Sequence, residues 1–492
     1  MTSVKNPLST LETILFNPDR RVAAAGLAVL ILAGVLVAVL LVALAGPLYA
    51  TVLFVGLTGV LMVLRDIRWG LGVLLAVLGL LPFAALPFKL GFTPTFLDLA
   101  LLAIYAVWIV RVATRRDRQL AGTALGVPVM LFLFFTCFAF ANGARFGMPT
   151  VTTIRNFAEL ILGIGLFFLL VNVLRTEADL ALAARLIILA GAGAAAIAVV
   201  MYVIPQAWTI RLLDSLARLG YPGGAGALRF IEDDPANPMR AIGTMVDPNV
   251  LGGFLILVAG LTAPQLVSSQ PLFRRRWVAV FLSLELIALY MTYSRGSLVG
   301  LTAGLLLIGF LRYRRLLAIA ALAVGLVLLL PPAQAYVAHF VEGVQLQDRA
   351  TLMRLGEYRD ALTLIGRYPL FGVGFAGSPD ADLYVGVSSL YLLMAEEMGV
   401  IGVLSFLIVV VGYLVSLWRG WLRTRGSNLR MEALFLGLGA AVTGVMVGGF
   451  LDHYLFNLVY PHMSTLFWVY LGLGIAATRV VARGGQGDSA AD

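Results

Sequence analysis

The chain has 492 residues, 61% of them hydrophobic and 12% charged, with a mean hydropathy of +0.96. A soluble domain of this length cannot bury so much apolar surface, so composition selects a polytopic membrane protein. The net charge of +9 comes almost wholly from arginine, and with no soluble basic domain to gather those arginines a nucleic-acid partner is excluded.

The opening 21 residues are polar and lack a small-residue cleavage site, so they read as a cytoplasmic N-terminal segment. Apolar runs long enough to cross a bilayer follow at Val22–Ala45, Leu48–Leu64, Trp69–Pro87, Leu97–Val110, Ala124–Ala141, Phe157–Leu174 and Leu180–Ile204. After a polar stretch they resume at Asn249–Ser268, Trp277–Met291, Ser297–Phe310, Leu316–Pro332, Met398–Leu417, Met431–Leu451 and Met463–Val481. The expected fold is therefore an all-α integral membrane protein with about 14 transmembrane helices (12–14). The range reflects Gly46-Pro47 between the first two runs and the shortness of the fourth and tenth.

Charge orients the chain. With the N-terminus inside, twenty-three of the 35 cations fall on inner segments and every short inner loop carries at least one, as the positive-inside rule requires. Both termini are expected in the cytoplasm. The resulting domains are 1–21 (cytoplasmic), 22–204 (N-terminal transmembrane bundle), 205–248 (extracytoplasmic loop), 249–332 (transmembrane helices), 333–387 (large extracytoplasmic loop), 388–482 (C-terminal transmembrane helices) and 483–492 (cytoplasmic tail). Both long loops lie outside and are expected to contain short helices, so chemistry on a polar substrate belongs to the outer face. The lone cysteine, Cys137, excludes an internal disulfide, and no Cys/His cluster has metal-ligand spacing. No metal or cofactor is expected.

The first outer loop ends MRAIGTMVDPNVLGG. Asp247 suits an N-cap and Pro248 a first helical turn. Arg240 a few residues upstream either completes an anion site with the helix amides or snorkels to the lipid headgroups. Next, YMTYSRGSLVGL sets Arg295 in a tight turn at the outer boundary; a turn needs no arginine and the position opposes the orientation bias, which favours a functional role.

In the second outer loop, Arg349–Arg367 fits a helix with Leu352, Leu355, Tyr358, Leu362 and Ile365 as its apolar face. Arg349, Glu357, Asp360 and Arg367 read as a solvated face. Arg354 and Arg359 flank the stripe, and Arg354 beside Tyr358 is the better ligand; the alternative is a surface pair with Glu357, worth little. The glycines of the following YPLFGVG permit a tight turn, and without a preceding strand or a GK[ST] it is no nucleotide loop. Glu396-Glu397 reads as interfacial, with catalysis the alternative. Asp452 and His453 sit at the outer end of a span; His suits a base near neutral pH, and Asp can accept a proton. His462 reads as interfacial beside Tyr460. Glu285, mid-span, is either functional or hydrogen-bonded to a neighbouring helix.

Taken in order, R-A-x-G-T-x-x-D-P-N-x-L-G from Arg240, T-Y-S-R-G, R-x3-Y-x2-A-x3-I-x2-Y-P-L-x-G-x-G, Y-L-x4-E-x-G-x-x-G and D-H-Y resemble the bacterial O-antigen ligase/polymerase superfamily across Arg240–Leu473. The resemblance implies a GT-C-like, metal-independent glycosyltransferase of the cytoplasmic (inner) membrane. Its donor would be an undecaprenyl-diphosphate-linked glycan, its acceptor a glycan or a lipid, and membrane lipid its surroundings. Arg240, Arg295 and Arg354, with Arg359 as a weaker fourth, match family arginines expected to stabilise the diphosphate leaving group. Ligases of the family share a His-Asn at the start of the returning helix, where Ser388-Ser389 stands here. That departure favours a repeat-unit polymerase, with a chain-length regulator protein as a further partner, over a ligase acting on lipid A core. His453 or Asp452 then becomes the expected base. A flippase or transporter is the alternative of another class.

Overall fold

The computed structural model describes residues 65–88, 91–114, 122–315, 349–377 and 386–488, with isolated positions in 59–63 and 317–325. Two compact units divide the chain, Met1–Gly70 and Leu71–Asp492, and the second holds the helices discussed here. The expected span Val22–Ala45 and most of Leu48–Leu64 and Leu316–Pro332 lie outside the described residues.

The second unit is built of helices: α1 (Ile67–Leu80, which begins in the first unit), α2 (Phe96–Ala113), α3 (Gly126–Gly143), α4 (Val151–Val173), α5 (Glu177–Val203) and α6 (Gln206–Leu216). A two-residue antiparallel ribbon follows, β1 (Arg229–Phe230) with β2 (Met239–Arg240). Then come α7 (Pro248–Val267), α8 (Arg275–Met291), α9 (Arg295–Leu311), α10 (Arg349–Arg367), α11 (Leu390–Thr424), α12 (Leu429–Gly448) and α13 (Pro461–Asp488). Among the described residues eight helices are long and apolar enough to cross a membrane; α1 and α9 are apolar but shorter. Each of the eleven expected spans within the described residues overlaps a helix, but Trp69–Pro87 is cut short because α1 ends at Leu80.

Central helices are apolar on every side because every side meets protein. The apolar windows of α7 and α12 are 89% buried against 28% for α3, so α7 and α12 form the axis and α3 the rim. α9 clasps α12 through small residues four apart. Gly296, Gly300 and Gly304 face Gly448, Gly444 and Ala440 so closely that any side chain on these glycines would meet backbone or neighbouring side chains, the close approach that small-xxx-small spacing permits.

α11 is broken. Gly399 has φ 69 and ψ −175, a conformation available in practice only to glycine. The break frees main-chain groups that must be satisfied in an apolar setting, and the YPLFGVG turn satisfies them. Val373 N–H donates to the Glu396 carbonyl at 2.7 Å, Gly374 N–H to that of Glu397 at 2.9 Å, and Val400 N–H to that of Pro369 at 2.8 Å. Gly372 (φ 64) presses so closely on the backbone of Glu396 and Glu397 that a Cβ could not fit.

Candidate functional site

One end of the bundle brings together the first turns of α7, α9, α11 and α13 with the last turns of α8 and α12. The ribbon reaches it by simple alternation. Phe230 and Met239 pack on a cluster of Met201, Leu213, Ala227, Leu228 and Ile242, leaving their in-register neighbours Arg229 and Arg240 on the other face. Arg240 Nε donates to the Thr292 carbonyl at 2.8 Å and an Nη donates to Asn249 Oδ1 at 2.7 Å. Ala241 N–H bonds the Met291 carbonyl at 2.8 Å, tying the ribbon to the end of α8. Asp247 caps α7 as expected, its Oδ1 accepting from Asn249 N–H at 2.8 Å and Val250 N–H at 3.0 Å. The expected convergence of helix amides on an anion is corrected by this: Asp247 already occupies them, and cationic contact rests on the arginines. Arg229, Arg240, Asp233, Asp247 and Asn249 help line a cleft of about 590 Å3.

Arg295 is the first residue of α9, after an N-cap Ser294 whose hydroxyl accepts from Ser297 N–H. The strained residue of this turn is Tyr293 (φ 52). Thr292, whose carbonyl holds Arg240, and Arg295 thus belong to one tight turn. Gly296 packs on Leu451, which sets the start of α9 beside Asp452.

On α10 the expected apolar face is corrected. Leu352, Leu355 and Leu362 are exposed, while Ala361 and Leu364 are fully buried. The protein-facing stripe is instead 354, 357, 358, 361 and 364, which is helical spacing. Ala361 and Tyr358 pack with Val387 and Leu393. Glu357, expected on a solvated face, is half-buried and accepts from Ser388 N–H at 3.0 Å. The Tyr358 hydroxyl reaches the carbonyls of Ser388 and Phe450, both at 3.3 Å, so it tethers α10 rather than facing an open cavity. Arg354 is half-buried on the same stripe and Arg359 is exposed.

Asp452 and His453 lie in the turn between α12 and α13. Leu390 N–H, at the start of α11, bonds the carbonyls of Gly449 and Asp452 at 2.8 and 2.9 Å. Asp452 Oδ1 accepts from His453 N–H at 2.8 Å and lies 3.7 Å from His453 Nδ1. The side chains face each other without a direct hydrogen bond between them. Burial pushes the Asp452 carboxyl above its ordinary range; His453 opposes this, Asp247 adds to it, and Arg354 pulls it back. Burial likewise raises the Tyr460 phenol, with Asp247 and Asp452 adding and Arg229 opposing. These mutual influences put Arg229, Asp247, Arg354, Asp452, His453 and Tyr460 in one electrostatic neighbourhood.

Two further expectations change, and Glu285 meets one of its two alternatives. Glu396 and Glu397 are buried, not interfacial. His462 stands near Tyr460 but is buried, its ring 4.9 Å from that of Phe83. Glu285 is fully buried and accepts from the Thr262 hydroxyl on α7 at 3.2 Å, the neighbouring-helix bond weighed from sequence. Arg229 and Asp247 joined the neighbourhood without being singled out as charges; the alternation R-F and M-R on either side of a polar turn was the available signal for Arg229.

Residues 278–407 match the family model described as O-antigen ligase. Over that stretch the chain is similar to the O-antigen ligase/polymerase superfamily. No curated protein matches it. The O-antigen ligase match runs from α8 to the middle of α11, so it contains Arg295, Arg354, Tyr358, Arg359 and the broken helix. Arg240 and the Asp452–His453 turn lie outside it.

Proposed function

We propose that this protein is a membrane glycosyltransferase of the O-antigen ligase/polymerase superfamily that polymerises undecaprenyl-diphosphate-linked oligosaccharide repeats on the outer face of the cytoplasmic membrane. The observation that carries this reading is the gathering of cations around a buried carboxylate at one end of the bundle. Arg354 and His453 act on Asp452, whose neighbour Leu451 packs on Gly296, next to Arg295 at the start of α9, while Arg240 is fixed to the same α8–α9 turn. As the sugar–oxygen bond breaks, negative charge collects on the diphosphate, and preorganised guanidiniums stabilise it. The acceptor hydroxyl loses its proton to Asp452 or His453 as it attacks the anomeric carbon. A carboxyl raised by burial is a stronger base than a solvated one. Arg359, exposed, would act only at the rim, and Tyr358 would hold α10 over the site. No metal enters this scheme.

In this scheme the chain crosses the membrane about fourteen times in a GT-C-like arrangement, with both termini in the cytoplasm, the segments 205–248 and 333–387 outside, and a chain-length regulator protein as partner. The ligase reading is the second, favoured by the family model's own description; Ser388-Ser389, where a ligase would carry His-Asn, weighs against it. A flippase needs the cations but no base, and the buried Asp452 beside His453 weighs against it.

The test is to incubate purified protein with carrier-diphosphate glycan and acceptor, then resolve the products on a gel. Longer carrier-linked chains with released undecaprenyl diphosphate are expected. Transfer to core lipid would instead establish the ligase. Absence of any covalent product, with wild type and Arg295→Ala alike, would overturn both enzymatic readings.

A further inference from the structure

Arg229 stands directly opposite Arg240 in the ribbon. Opposed residues of an antiparallel pair share one face with their Cβ atoms about 5 Å apart, and like charges so placed destabilise the pairing. The ribbon carries a second cost at its tip, where Glu232 (φ 58) and Asp233 (φ 57) take a left-handed conformation that non-glycine residues avoid. Its apolar face is anchored on the cluster under it, so the repulsion is held in place rather than relieved. Both arginines line the same cleft. An arginine pair kept together against its own repulsion, at the wall of a cavity wide enough for a ligand, is arranged for a polyanion.

The two side chains are held differently. Arg240 is fixed by Thr292 and Asn249. Arg229 is exposed, with an Nη 3.4 Å from the Gly226 carbonyl, a long contact. One prong is rigid and the other adjustable. We propose that Arg229 and Arg240 form a clamp for the diphosphate of a polyprenyl carrier, with one guanidinium on each phosphate, which makes Arg229 a binding residue that selects diphosphate over monophosphate. The proposal rests on the carrier-diphosphate reading above. Asp233 is an exposed carboxylate on the same cleft wall, whereas Asp247 is engaged in capping α7.

The experiment uses the full chain in lipid nanodiscs, with undecaprenyl diphosphate and undecaprenyl monophosphate as probes, read by equilibrium binding and by the thermal shift each probe produces. Arg229→Gln is expected to weaken diphosphate binding by about tenfold, the loss of one charge-assisted pair, and to leave monophosphate binding within about twofold. The unliganded Tm of that variant stays level or rises, because a repulsion is removed; a merely structural Arg229 would lower it. Arg229→Lys recovers part of the affinity, and Asp233→Asn strengthens it. If Arg229→Gln binds diphosphate like wild type while Arg240→Gln is weakened, the clamp is overturned and the carrier reading stands. If wild type binds neither probe, the carrier reading fails and the clamp falls with it.

Discussion

Gly399→Ala is the substitution on which the architecture of the site depends most directly. Gly399 holds φ 69 and ψ −175, a region that costs a non-glycine residue on the order of 1–3 kcal/mol. A Cβ there would also press into the backbone of Leu370 and Phe371. Those atoms cannot step aside, because Val400 N–H bonds Pro369 and Val373 N–H bonds Glu396 on either side of the contact. Overpacking of this kind adds about 1–3 kcal/mol, so a total loss of about 4 kcal/mol is expected. Gly356→Ala is the matched control. It lies exposed in α10, with open space where a Cβ would go, and should stabilise by about 0.5–1 kcal/mol. Thermal unfolding of the detergent-solubilised protein, followed by tryptophan fluorescence, measures both. Hydrogen exchange at Val373, Gly374 and Val400 shows whether the three bonds have opened in the Gly399 variant. If Gly399→Ala unfolds within about 1 kcal/mol of wild type with those amides still protected, the stitched break in α11 is not how this segment is held.

Asp452→Asn keeps an acceptor for His453 N–H but cannot take a proton, and polymerisation is expected to slow by about 10²–10⁴-fold if Asp452 is the base. The same change should stabilise the fold. Because the folded carboxyl titrates above its unfolded value, the native state holds the extra proton between the two. Wild type therefore loses stability as pH rises from the ordinary Asp range through the folded value; the variant does not, and Tm recorded across that window shows the difference. Arg295→Gln should slow release of carrier diphosphate by about 10²–10³-fold, measured at saturating donor. Tyr358→Phe removes one hydroxyl that reaches Ser388 and Phe450, and about 1 kcal/mol of stability should go with it, with proteolysis of α10 faster in proportion to its opening.

How much of this was written in the sequence depends on whether the signal was local. Helix positions were legible because a long apolar run has few alternatives in lipid, and Asp247-Pro248 marked the start of α7 because capping is a matter of adjacent residues. The α10 face was misassigned because the wheel ranks side chains by hydrophobicity. Leu352, Leu355 and Leu362 have no protein surface above them, whereas Ala361 fits the narrow contact with Val387 and Leu393. The glycines of YPLFGVG announced a turn, but not that it would supply donors to carbonyls more than twenty residues later. The neighbourhood around Asp452 was only partly legible for the same reason. Arg240 and Asp452 were visible singly, but Arg229 acquires meaning only from the register that sets it opposite Arg240.

The stitch between the YPLFGVG turn and the broken helix turns α10 into a lever. Three main-chain bonds fix the chain just beyond its Arg367 end, while the part nearer Arg354 is held by side chains such as Tyr358 and Ala361. Arg354 rides about 20 Å up that arm from Pro369, and a pivot of about 10° would carry it roughly 4 Å, more than the length of a hydrogen bond. Tyr358 lies one turn closer to the fulcrum, where its hydroxyl acts as the catch. A small shift of the first turns of α11, to which Tyr358 is tied through Ser388, would thus be magnified at the guanidinium of Arg354 and scarcely felt at Arg367.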